Sequence, residues 1–234
     1  MNEKEFIEAL KQLSITLNKK QQYQLSKYYE MLVEKNKVIN LTNITEKESV
    51  YLKHFYDSLT LSMVCDFNKY ESLCDIGTGA GFPGLVLKIV FPHLKVVLID
   101  SLEKRITFLN EVISDLKLQD IEAIHIRAEE YAKSNREKYD IVTSRAVARL
   151  SVLSELCLPI VKVGGYFISM KAHAEEEIKE IDENLKKLNS EIELVKTFML
   201  PIEESMRTFI VIKKTKITDK RYPREFKEIK RKPL

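Results

Sequence analysis

From position 73 to 84 the chain reads Leu-Cys-Asp-Ile-Gly-Thr-Gly-Ala-Gly-Phe-Pro-Gly. No other stretch restricts the fold as much. An apolar run ends in a carboxylate, glycines follow at 77, 79, 81 and 84, and residues 85–90 are apolar but for Lys88. The spacing predicts strand, tight turn and helix. Glycine permits positive φ and lets backbone come close to a ligand. Pro83 suits a first helical turn, where an N–H has no intrahelical acceptor. The helix start then turns N–H groups and a partial positive charge toward a ligand above the turn.

The pattern has a second part. Residues 95–99 (KVVLI) read as a buried strand that ends at Asp100, 23 positions after Gly77. A carboxylate at the tip of the second strand typically accepts hydrogen bonds from a ribose. A structural glycine turn without a ligand is the bland alternative. It is the weaker reading, because four glycines in eight residues weaken a fold unless something must approach them. The glycine spacing is G-x-G-x-G-x-x-G rather than the dinucleotide G-x-G-x-x-G, and Asp75 stands two residues before the first glycine. An acid there opposes a pyrophosphate and suits the cationic amino and sulfonium groups of S-adenosylmethionine. The charge argument favours the methyl donor over NAD.

A chain of 234 residues with 44% hydrophobic content allows one α/β domain with a sizeable core and an appendage. Cys65, Cys74 and Cys157 are scattered, without CxxC or zinc-type spacing. A reduced cytoplasmic setting is expected, with no metal. The start, Met1-Asn2-Glu3-Lys4-Glu5, lacks the apolar core of a signal peptide, and no run is long enough for a membrane helix. The net charge of +3 conceals an asymmetry. Residues 213–234 hold ten Lys/Arg against three acids, a charge of +7, which leaves −4 on residues 1–212. A basic arm on an acidic body suits a polyanion, and equally a solvated tail that keeps the protein soluble.

Residues 3–13, 20–35 and 46–63 space their apolar side chains at helical intervals, with a break at 40–43. Tyr23, Tyr28 and Tyr29 offer rings for base stacking, although core packing fits their spacing better. His54 and Asp57 lie three apart on one helix face, either as a pair that orients the helix or at a substrate mouth. No nucleophile accompanies them, which argues against a hydrolytic triad.

After Asp100 come a helix at 103–116, a third strand at 121–126 and Arg127-Ala128-Glu129-Glu130. A backbone N–H at Ala128 or Glu129 can receive an adenine edge, or the segment is an ordinary helix start with acids in its first turn. A fourth strand at 139–142 runs into Thr143-Ser144-Arg145-Ala146 and then Arg149. Gly164-Gly165 reads as the turn into a fifth strand at 166–170, which ends at Lys171. A helix at 173–188 precedes a hairpin of strands 192–199 and 208–213. The order predicts a doubly wound, mostly parallel sheet closed by an antiparallel hairpin. The expected divisions are an N-terminal helical extension (1–64), a cofactor-binding domain (65–213) and a basic tail (214–234).

Several stretches together resemble one family: His-Phe-Tyr-Asp-Ser-Leu at 54–59, Asp-Ile-Gly-Thr-Gly-Ala-Gly-Phe-Pro-Gly at 75–84, Asp-Ser-Leu-Glu-Lys-Arg at 100–105, Arg-Ala-Glu-Glu at 127–130, Ser-Arg-Ala at 144–146, and the closing Tyr-Pro-Arg and Arg-Lys-Pro-Leu. The pattern looks like the bacterial small-subunit rRNA guanine-N7 methyltransferases, long called glucose-inhibited division protein B. Tail residues 225–229 depart from the Gly/Pro-rich basic linker more usual there. The resemblance implies a Rossmann-like class I methyltransferase fold, S-adenosylmethionine as cofactor, and methylation of guanine 527 of 16S rRNA in the cytoplasm. It implies that Gly77, Phe82, Ala128, Glu129 and Arg145 touch the cofactor or its edge. With the turn and strand argument, the expected cofactor set is Gly77, Gly79, Phe82, Asp100, Ala128, Glu129 and Arg145.

Guanine N7 carries an in-plane lone pair and no proton, so no general base is expected, and Arg145 is the residue expected to position the reacting groups. The expected RNA contacts are His54, Arg149, Lys171, Arg221 and Arg224. The resemblance implies 16S rRNA or the small ribosomal subunit as partner, and a monomer that acts away from membranes is expected. Two other classes fit parts of the pattern. A nicotinamide oxidoreductase requires a Lys/Tyr or His near the fourth strand, where the chain offers Ser144-Arg145. An RNA-binding protein without catalysis has no use for the intact glycine turn.

Overall fold

The computed structural model describes residues 1–145 and 148–234. Seven strands form one sheet: β1 (Ser72–Ile76), β2 (Lys95–Asp100), β3 (Ile121–His125), β4 (Tyr139–Arg145), β5 (Val161–Lys171), β6 (Ser190–Leu200) and β7 (Ser205–Lys214). Their order is β3-β2-β1-β4-β5-β7-β6. The pairs β2–β3, β1–β4 and β4–β5 are parallel, and β5–β7 and β6–β7 are antiparallel. This is the α/β architecture with a terminal hairpin that the sequence predicts. The chain leaves β1 for β2 and β3, then returns to lay β4 against β1. Ligands of such sheets bind beyond the carboxyl ends of the strands at that reversal.

Two compact units divide the chain: residues 1–71 with 78–125, and residues 72–77 with 126–234. The N-terminal helices share a unit with β2 and β3, and the tail shares one with β4 to β7.

The first unit holds α1 (Glu3–Lys11), α2 (Lys19–Asn36), α3 (Lys47–Val50), α4 (Asp57–Leu59), α5 (Gly84–Val90) and α6 (Glu103–Asp115). Capping boxes start α1 and α2. The Asn2 side chain accepts from the Lys4 and Glu5 amides while Glu5 accepts from the Asn2 amide, and Asn18 and Gln21 repeat the exchange. Each such cap contributes about 1 kcal/mol.

The helix expected at 46–63 forms, but its pitch changes along the way. A π-helical turn (Tyr51–Tyr56) separates α3 from α4, and a 3-10 turn (Thr60–Met63) ends the run. Five of the six π-turn side chains are buried, more than one face of a regular α-helix offers. All seven residues of α5 are buried, Lys88 among them. Its ammonium donates to Pro92 O at 2.7 Å and Leu94 O at 2.5 Å, and burial lowers its pKa.

The second unit holds α7 (Ala128–Ser134), α8 (Leu150–Cys157), α9 (Glu175–Glu180), α10 (Asp182–Lys187) and α11 (Phe226–Arg231). The single helix expected at 173–188 is two short ones, divided at the buried Ile181. Gly164 and Gly165 are not a turn before β5 but lie inside it. Between the pairs Tyr139↔Val161 and Ile141↔Tyr166, β4 advances two residues and β5 five, so the irregularity absorbs three extra residues. Gly164 takes φ +85° there, and a Cβ on Gly165 would stand 2.6 Å from Asp140 O, so glycine is required.

Candidate functional site

The turn after β1 takes the left-handed conformation three times, with φ +69° at Gly77, +62° at Gly79 and +106° at Gly81. From Thr78 onward it is tied to the first unit. The Thr78 amide donates to Ile99 O at 3.0 Å and the Gly79 amide to Asp100 Oδ2 at 3.0 Å. The Gly81 and Phe82 amides both donate to Thr78 O at 3.0 Å. A Cβ on Gly79 would meet nothing within 4 Å, whereas one on Gly81 would stand 2.6 Å from Tyr28 Oη. Gly81 is therefore demanded by packing. Gly79 is demanded by its backbone angle, and it faces open space that a ligand can enter. This cradle suits S-adenosylmethionine.

Asp100 closes β2 with only 3% of its surface exposed. Its Oδ1 accepts from the Leu102 amide at 2.9 Å, and its Oδ2 accepts from Gly79 and from Arg105 Nη1 at 3.0 Å. A carboxylate has about four lone-pair sites. The three donors fix its rotamer and leave capacity for a ligand hydroxyl. The sequence pointed to Asp100 but not to Arg105, whose role depends on the turn of α6. Replacing Asp100 by alanine is expected to weaken cofactor binding at least tenfold, because charge-assisted hydrogen bonds are worth roughly 1.5–3 kcal/mol each. Calorimetric titration checks this. An unchanged affinity removes Asp100 from the site.

His54, expected among the RNA contacts, is buried in this structure. It is 6% exposed, and its ring stacks on Phe82 at 4.3 Å with 15° between planes. Its Nε2 lies 2.9 Å from Thr42 Oγ1, and its Nδ1 lies 3.2 Å from Lys53 O. The imidazole therefore backs the Phe82 side of the turn. Asp57 is buried as well. Of the tyrosines, Tyr28 is fully buried and Tyr23 is 65% exposed, while the Tyr29 hydroxyl donates to Thr45 O at 3.3 Å.

In the second unit β1 and β4 run side by side, with Asp75 paired in register to Thr143. Ser144 Oγ donates to Ile76 O at 2.8 Å, which locks the two carboxyl ends where Gly77 and Arg145 follow. Asp75 is completely buried. Arg145 is half-buried and pairs in register with Met170. Ala146, part of the Ser-Arg-Ala motif, lies outside the described residues. Ala128 and Glu129 open α7, and Glu129 is 6% exposed. Burial, and after it the Asp75 carboxylate, push the Cys157 thiol well above its usual pKa, and burial raises Cys65 to about 12. These thiols are inert at neutral pH.

The structure sorts the cations expected to meet RNA. Arg149 is exposed and pairs with Glu180 at 3.1 Å. Arg221 is exposed, 3.7 Å from Asp219. Lys171 and Arg224 are instead committed within the protein. The Lys171 side chain is 9% exposed and donates to Ala148 O at 2.8 Å and to the Glu177 carboxylate at 3.0 Å. The Arg224 guanidinium grips the fully buried Glu155 through two hydrogen bonds of 2.6 and 2.8 Å. Two more tail cations are engaged in the same way. Lys214 is buried against Glu137 at 2.7 Å, and Lys213 pairs with Glu193 at 3.1 Å. Seven of the ten remain exposed: Lys216, Lys220, Arg221, Lys227, Lys230, Arg231 and Lys232. The tail that carries them is folded. Tyr222 and Ile229 are buried, and Arg136 donates to Tyr222 O and Thr218 O at 2.5 Å each.

Among known proteins, the family model for rRNA small subunit methyltransferase G matches residues 21–206. The chain is 52% identical over 228 residues to the ribosomal RNA small subunit methyltransferase G of Lysinibacillus sphaericus, covering 96% of both chains. It is 54% identical to the protein of the same name from Bacillus pumilus, over 96% of this chain and 95% of that one. It is similar in fold to a crystal structure of a 16S rRNA (adenine(1408)-N(1))-methyltransferase variant from Catenulisporales acidiphilia. That similarity has TM-score 0.53 at 15% identity, and covers 66% of this chain and 87% of the other.

Proposed function

We propose that this chain, which belongs to the rRNA small subunit methyltransferase G family, methylates N7 of guanine 527 in 16S rRNA. The observation that carries the reading is the glycine turn, with open space at Gly79 and its amide held on Asp100. S-adenosylmethionine supplies an electrophilic methyl group on a sulfonium. Gly77, Gly79, Phe82, Asp100, Ala128, Glu129 and Arg145 form the proposed cofactor set. Asp100 takes the ribose hydroxyls, and the buried Asp75 contributes negative charge ahead of the turn.

The acceptor nitrogen carries no proton, so the chain supplies no base. Its work is to hold the guanine in line and exclude water, and positioning of this kind is worth roughly 7–11 kcal/mol of barrier. Arg145 is the proposed positioning residue. The base must be unstacked to be reached, as bases in rRNA loops are. Arg149 and the seven exposed tail cations are the proposed phosphate contacts. The protein acts as a monomer in the cytoplasm, on 16S rRNA or the small subunit.

The test is to map N7-methylguanosine by borohydride–aniline cleavage of 16S rRNA from cells with and without the gene. Loss of cleavage at position 527 alone is expected. Cleavage that persists there overturns the assignment. The tail has its own test. Changing Lys227, Lys230 and Arg231 together to glutamine is expected to flatten log affinity against log salt by about 2–3 units, at 0.7–0.9 per phosphate contact. Target and non-target RNA should lose affinity alike, and cofactor affinity should stay the same.

A further inference from the structure

The glycine turn is propped from helix α2, by a contact that the strand–turn–helix pattern does not require. Gln21, Gln24 and Tyr28 share one face of α2, spaced three and four residues apart. Each donates to a main-chain carbonyl. Gln21 Nε2 reaches Ile89 O at 3.1 Å and Val90 O at 2.9 Å, at the end of α5. Gln24 Nε2 reaches Leu116 O at 3.0 Å, at the end of α6. The Tyr28 hydroxyl donates to Ala80 O, inside the turn itself. The two glutamines thus cap helix ends, as polar groups buried beside orphan carbonyls do. Tyr28 differs, because its acceptor lies between Gly79 and Gly81, two of the three left-handed glycines of the turn.

The fit around Tyr28 is close. Its side chain is fully buried, and its ring stacks on Phe82 at 5.5 Å and 29°, and on Phe55 at 5.5 Å and 26°. Phe82 carries the His54 ring at 4.3 Å as well. A Cβ on Gly81 would lie 2.6 Å from Tyr28 Oη, so the turn has closed onto the hydroxyl.

We infer that Tyr28 is a positioning residue for the cofactor. Its hydroxyl fixes the Ala80 carbonyl, and with it the path of the backbone from Gly79 to Phe82. The helical N-terminus is then part of the construction of the cofactor site. The inference rests on the reading of the turn as the S-adenosylmethionine site.

Tyr28→Phe keeps the ring and its stacking but leaves a buried carbonyl without its donor. The expected result is about a tenfold weaker S-adenosylmethionine affinity by calorimetry. The KM for the cofactor should rise in step, with kcat at saturation changed less than about twofold and the KM for RNA unmoved. In the cofactor-free protein, amide hydrogen exchange should quicken across Gly79–Phe82 and not along β2. Gln24→Leu is the matched control. It removes a donor from the same face, should lower the melting temperature, and should leave cofactor affinity alone. If Tyr28→Phe lowers only the melting temperature, or if Gln24→Leu weakens cofactor binding as much, Tyr28 is ordinary core and the inference falls. Asp100→Ala separates the two levels. If it too binds cofactor normally, the turn is not the cofactor site and the functional reading fails. If it loses binding while Tyr28→Phe does not, only the inference about Tyr28 fails.

Discussion

Alanine at Gly81 should cost the protein several kcal/mol of stability, while alanine at Gly79 should leave the fold nearly intact and weaken cofactor binding at least tenfold. At Gly81 the new Cβ would stand 2.6 Å from Tyr28 Oη, 2.9 Å from Leu109 Cδ2 and 3.0 Å from Leu85 Cβ, with φ at +106°. Tyr28, Leu109 and Leu85 are all buried, so none of these neighbours can swing away. Backbone strain of about 1–3 kcal/mol adds to overpacking of about 1–3 kcal/mol. In a protein of this size 1 kcal/mol moves the melting temperature by about 2–4 °C. The expected drop is therefore roughly 4–24 °C. At Gly79 the φ of +62° lies in the left-handed region that other residues reach at about 1–2 kcal/mol, and nothing stands within 4 Å. A small drop in melting temperature is expected there, with at least a tenfold loss of S-adenosylmethionine affinity. Thermal denaturation and calorimetry on the two variants check both statements. Normal cofactor affinity in Gly79→Ala would show that the open space is not used by the ligand.

The contrast between these glycines marks what the sequence makes legible. The turn, the strands around it and the acid at Asp100 are local patterns, and short-range sterics write them into neighbouring residues. The doubly wound class follows because crossovers between parallel strands have few solutions. What the sequence hides is long-range. Tyr28 meets Ala80 across 52 positions, and nothing in the helical spacing separates it from the exposed Tyr23. His54 reads as a candidate because it shares a helix face with Asp57, but it lies within the π-helical segment and is buried beside Phe82. Charge counts mislead for the same reason. Lys214 finds Glu137 77 positions away, and Arg224 finds Glu155 69 positions away. A count of cations along the tail sees neither partner.

Arg224 therefore gives the sharpest separation between a cation that binds RNA and one that builds the fold. Its guanidinium is the hydrogen-bonding partner of a Glu155 side chain that is 0% exposed. Its own amide also donates to Glu155 Oε1 at 2.9 Å. Arg224→Ala strands a carboxylate in the interior, and breaking such pairs costs about 3–5 kcal/mol. The low end applies, because the Arg224 side chain is 24% exposed and the remaining amide still solvates the acid. The expected loss is about 3 kcal/mol, or roughly 6–12 °C in melting temperature. Replacing both partners by apolar residues, Arg224→Leu with Glu155→Leu, should recover most of it, since the buried charge leaves with its partner. The salt dependence of RNA binding should not change in Arg224→Ala measured below its melting range. Were the guanidinium bound to an RNA phosphate, its removal would instead flatten the slope by about 0.7–0.9. An unchanged melting temperature with a flattened slope would return Arg224 to the RNA interface.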